Sequence, residues 1–86
     1  MERFFKAIEG KIRKSGYPGV VSGAEIYAEI SDEAEEQEEG SYLFMKKQND
    51  NIMFEYRVDI LKDNINLATL TIHAPERKYF IDFDAE

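Results

Sequence analysis

His73 is the sole histidine of an 86-residue chain that contains no cysteine. Nucleophilic chemistry would therefore have to run through a serine, with that one imidazole as its base. A serine–histidine–acid device needs the histidine beside both the nucleophile and an orienting carboxylate. Ser15, Ser22, Ser31 and Ser41 all stand in cap or turn contexts, and none lies in a G-x-S-x-G elbow. His73 itself falls at the polar phase of an alternating segment close to a turn, which a surface position explains.

Paired carboxylates are the next candidates, since two acids in different environments can share acid–base work. Asp82 and Asp84 fall on one face of a strand, as do Glu55, Arg57 and Asp59. With 18 acids in the chain, such pairs arise by abundance, and a solvated sheet face accounts for them. A substrate pocket of ~300 Å³ or more is hard to build inside so small a core. Asp32, Glu33, Glu35, Glu36, Glu38 and Glu39 offer oxygen ligands of the kind calcium and magnesium take, but the EF-hand loop pattern is missing. The Gln48-Asn49-Asp50-Asn51 cluster is explained by a turn. Thiolate zinc is excluded for want of cysteine. Gly16-Tyr17-Pro18-Gly19 lacks the lysine and the preceding strand of a phosphate-cradling loop. No catalytic residue, cofactor or metal site is therefore expected.

Charge is distributed unevenly. The formal net charge is −7. Residues 1–17 carry +3, residues 18–40 carry −8 with no lysine or arginine, and residues 41–86 carry −2. The basic residues Arg3, Lys6, Lys11, Arg13 and Lys14 share a segment with Phe4 and Phe5, but the rings suit core anchors better than base-stacking platforms. The global charge also opposes nucleic acid and anionic membranes. Packing of the basic segment near the acidic one is the plain explanation of the asymmetry. No apolar run nears the ~20 residues needed to span a bilayer, and the first residues lack a signal-peptide core. With cysteine absent, a cytoplasmic protein is expected.

These residues need elements to hold them. Length favours one small domain over 1–86, and 43% apolar with 13% aromatic residues is too apolar for a disordered chain. Phe4, Phe5, Ile8 and Ile12 recur at helical spacing. Lys11, Arg13 and Lys14 suit the last turn, and Gly16 suits the residue after it. Gly10 weakens that helix unless it admits a close neighbour. From Ser22 to about Glu39 a second helix is expected, its apolar stripe fading beyond Ile30, so that Asp32 to Glu39 is either a solvated last turn or an acidic loop ending at Gly40. Ser22 and Glu25 fit a capping box, and Val21 and Ile26 fit a hydrophobic staple. Residues 24–30 also alternate at strand period; the cap, with the poor strand propensity of Ala and Glu, favours helix.

Four strands then follow: Tyr42 to Lys46, Ile52 to Leu61, Asn66 to His73, and Lys78 to Phe83. In the second, Ile52, Phe54, Tyr56, Val58 and Ile60 occupy one face, and Met53, Glu55, Arg57 and Asp59 the other. In the third, Ala68, Leu70 and Ile72 face in. In the last, Tyr79, Ile81 and Phe83 oppose Phe80 and Asp82. Short connections favour sequential antiparallel neighbours. The fold class is α+β: two N-terminal helices packed on a four-stranded antiparallel β-meander.

Three functional readings follow. The first is a non-catalytic protein–protein interaction module, self-association included. It rests on missing catalytic parts and on Tyr42, Phe44, Met53, Leu67 and Phe80, apolar residues expected opposite the main core face, with Met53 and Leu67 as the partner-binding pair. The second is a small acidic inhibitor, in which Glu33, Glu35, Glu36, Glu38 and Glu39 imitate phosphates before a basic nucleic-acid-binding protein. The third is a small metal-dependent regulator or enzyme, which would require Asp82, Asp84, His73 or the acidic run to converge in a cleft. The expected partner is another protein, basic in the second reading, or a second copy of the chain.

Overall fold

The computed structural model describes residues 2–84. Helix α1 spans Glu2–Lys14 and turns Ile8 and Ile12 into the core. It ends where expected: Gly16 takes φ +95° and its amide donates to the Arg13 carbonyl at 3.1 Å. Such a left-handed residue closes the last turn at little cost only when it lacks a Cβ. Gly10 has no neighbour where a Cβ would stand, so it serves no close approach.

Helix α2 spans Gly23–Ala34, which settles the helix-or-strand alternative for 24–30. Ser22 is its N-cap, with extended backbone and a side chain that accepts from the Glu25 amide at 3.3 Å. A second cap comes from the other helix, where Glu9 Oε2 accepts from the Gly23 amide at 2.7 Å. A carboxylate there also meets the positive end of the α2 dipole. The helix stops at Ala34, not near Glu39. Ala34 is the last buried residue of its stripe. Beyond it Glu35, Glu36, Glu38 and Glu39 would crowd the negative helix end with no basic residue in the last turn.

The sheet has strands β1 (Gly40–Lys47), β2 (Met53–Ile60), β3 (Ile65–His73) and β4 (Lys78–Asp82), in the order β1-β2-β3-β4. All neighbours are antiparallel. The β1–β2 turn is held by Asn49, whose side-chain oxygen accepts from the amides of Asn51 and Ile52. The β2–β3 ladder is interrupted: Arg57 lies opposite Thr69 and Val58 opposite Leu67. Ala68 is thus an extra residue, a β-bulge that shifts the phase of β3. Its carbonyl accepts from the Phe83 amide at 2.9 Å.

One sheet face and both helices enclose the core. Ile8, Ile12, Ile26, Ile30 and Ala34 meet Phe44, Phe54, Tyr56, Val58, Ile60, Leu67, Leu70, Ile72 and Ile81. The α2 helix reaches β1 and β2 through Glu33–Lys46 (2.8 Å) and Tyr56–Glu29 (2.7 Å). The α1 helix reaches the end of β4, where Lys11 Nζ donates to the Phe83 carbonyl at 2.9 Å. Among the described residues no helix is long and apolar enough to cross a membrane.

Candidate interaction surface

With both helices on one side, the other face of the sheet is open. Cross-strand register arranges its residues in rows. Ser41, Asp59 and Asn66 form the first; Leu43, Arg57, Thr69 and Asp82 the second; Met45, Glu55, Thr71 and Phe80 the third; Lys47, Met53, His73 and Lys78 the fourth. Leu43, Met45 and Phe80 are 64%, 53% and 63% exposed, and Met53 is half-buried. His73 Nε2 and Glu55 Oε1 lie 2.8 Å apart between the third and fourth rows. Ser41 donates to Asp59 at 2.7 Å.

Several expected positions change. Leu67 is in the core at 5% exposure, because the bulge at Ala68 reverses the phase of β3 ahead of it. Tyr42 and Phe44 also belong to the core side: Phe44 is buried, and Tyr42 packs against the same cluster. Met53 and Phe80 do lie on the open face. Leu43 and Met45, which sequence reasoning passed over, are its principal apolar residues on β1. The available signal was the bulk of Tyr42 and Phe44, whose rings bury more area inward than Leu43 and Met45 would. Phe4 is less a core anchor than expected, at 41% exposure; with Phe5 it packs its ring on Tyr27.

The acidic residues do not act as one group. Glu33 is paired with Lys46, and this hydrogen bond raises the pKa of the lysine. Glu29 accepts from the Tyr56 hydroxyl and from Gln48. Burial first, and then the Glu29 carboxylate, push the Tyr56 phenol far above the ordinary tyrosine range. Glu35, Glu36, Glu38 and Glu39 are exposed in the connection to β1, anchored by Tyr42 Oη donating to the Glu38 carbonyl at 2.8 Å. The ion pair of the acidic segment thus runs to the sheet through Lys46.

Of the groups named for acid–base chemistry, His73 meets Glu55 but stands two rows from Asp82. His73 lies in the row of Lys78, and Asp82 lies opposite Thr69. Asp82 accepts from the Asp84 amide at 3.0 Å. Among the described residues no three histidines or acids are placed to share a metal ion. Cavities of substrate size do occur, but between surface elements and not within the core. One of ≈ 330 Å³ runs between α1 and the connection to α2, lined in part by Glu9, Arg13, Tyr17 and Val20. Comparison with family models finds no match, and no curated protein or solved structure is significantly similar to the chain.

Proposed function

We propose that the chain is a non-catalytic protein-interaction module that binds through the open face of its sheet. The observation that supports this reading is the exposure of Leu43, Met45 and Phe80 on a face that neither helix covers. Leu43 and Met45 stand two residues apart on one face of β1 and form one patch, with Phe80 across the sheet on β4, and such patches mark association sites more often than single exposed side chains do. A chain without cysteine suits a reducing compartment, so the cytoplasm is the proposed setting.

The test is capture from extract of the source cell by the tethered chain. Replacing Leu43 and Phe80 together by Glu should abolish capture and leave the far-ultraviolet circular dichroism unchanged. Capture that survives in this folded double variant would defeat the reading.

A second reading keeps the acidic connection as the binding element, an inhibitor facing a basic groove. It is favoured by the exposure of Glu35, Glu36, Glu38 and Glu39. Binding of that kind would weaken steeply with salt, whereas binding through the open face would tolerate it.

A further inference from the structure

The charges of the open face are ordered along the strands. Lys47 and Lys78 stand in the row at one end, Lys47 also lying 3.6 Å from the exposed Asp50 of the turn. Asp59 stands in the row at the other end, with Asp82 in the row beside it. Arg57 and Glu55 occupy adjacent middle rows of β2. Lys47, Arg57 and Lys78 balance Glu55, Asp59 and Asp82, so the face is formally neutral within a chain of charge −7. A surface neutral overall but basic at one end and acidic at the other is matched by its own copy turned end for end.

Resting on the reading of this face as the binding surface, we infer that its occupant is a second copy of the chain. The two sheets pack face to face about a two-fold axis that lies between them and runs across the strands. Each strand then crosses its own counterpart in the reverse direction. With the axis between the two middle rows, Arg57 faces Glu55 of the second copy, and Leu43 faces Met45 of the second copy. Lys47 comes over Ser41 and beside Asp59 of the second copy. Every such contact occurs twice, as a two-fold interface requires.

The alternative axis, along the strands, would set Lys47 against Lys78 of the second copy, twice. Like charges in juxtaposition at an interface are strongly disfavoured, which favours the first arrangement, although it sets Asp82 opposite Phe80 of the second copy. The helix layer, with α2 and its acids, is turned away from the interface in both copies. Strands about 4.8 Å apart, of eight, eight, nine and five residues, give a flat face of roughly 500 Å² per partner. A standard stable interface buries about 800 Å² per partner. The face is small for a standard stable interface, and a weak dimer is expected.

The test is sedimentation of the purified protein over a concentration series reaching about 1 mM. The parent should move from monomer to dimer. Arg57→Glu and Glu55→Arg should each weaken self-association at least about tenfold, since each makes the middle rows repel their own copy. An equimolar mixture of the two should associate, because Glu at 57 then meets Arg at 55 in one half and the native Glu55 meets the native Arg57 in the other. If Glu55→Arg unfolds through loss of its His73 contact, Lys47→Glu mixed with Asp59→Lys poses the same question at the end rows. A parent that stays monomeric to 1 mM overturns the inference, and leaves the reading of the face intact if the chain still captures another protein. A parent dimer with variants that fail to complement in the mixture overturns the proposed arrangement. A dimer unaffected by Leu43→Glu with Phe80→Glu overturns both.

Discussion

Gly23 shows how a single position is decided by a neighbour far along the chain. A Cβ there would stand 2.5 Å from the Phe5 carbonyl oxygen and 2.7 Å from its Cα. Those are backbone atoms of the facing helix, so they cannot rotate away. Gly23→Ala is expected to destabilise the fold by about 1–3 kcal/mol, as overpacking does, despite the better helix propensity of alanine. Thermal melting of the variant checks this. Tyr56 offers a second measurement. Its phenol pKa is raised by burial and by Glu29, and the Lys46 pKa is raised by Glu33. Both groups stabilise the fold in full below about pH 10, where unfolded tyrosine and lysine are protonated too. Above that the unfolded chain releases these protons first, so stability falls as pH rises. In an alkaline titration followed at 295 nm, one of the five tyrosines should ionise only as the protein unfolds, and Tyr56→Phe should remove that late component.

Among the elements, β3 separates what alternation can and cannot reveal. Its presence was plain from Leu70, Thr71, Ile72 and His73. Its phase ahead of Thr69 was not, because one extra residue at Ala68 lets Leu67 and Ala68 both be buried. Leu67→Ala is accordingly expected to cost about 2–5 kcal/mol, and Met53→Ala, on the open face, no more than about 1 kcal/mol. Chemical denaturation of the pair would show it; equal losses would mean that the bulge does not place Leu67 inside. The α2 start was legible, since Ser22, Glu25, Val21 and Ile26 are local to one another. Ser22→Ala should lower stability by about 1 kcal/mol. The Glu9 contribution to the same cap was not legible, because it arrives from another helix.

At the scale of the molecule, the decisive feature is that both helices pack on one side of the sheet. That leaves Leu43, Met45 and Phe80 in solvent and buries Phe44 and Leu67. The acidic connection makes little contribution to this packing, apart from Glu33. Changing Glu33, Glu35, Glu36, Glu38 and Glu39 together to Gln should therefore leave the fold intact by circular dichroism. Net charge moves from −7 to about −2, and stability at low salt should change by no more than about 1 kcal/mol, since exposed charges interact weakly. A cooperative loss of structure would show that the acidic run holds the fold.

By itself the sequence determined the α+β class, the order of two helices and four strands, the helix caps and the main core stripe. Each follows from residues close together in the chain, where hydrophobic period, capping and turn chemistry act. The two-fold choice of face for β1, the bulge in β3, the cap supplied by Glu9 and the clearance required at Gly23 belonged to the tertiary structure. In β1 both alternating sets contain apolar residues, so only the packing of the helix layer, which puts Phe44 in the core and Glu33 on Lys46, decides which set is buried. A strand has two faces that differ by one residue of register, and a packing partner distant in sequence breaks the tie.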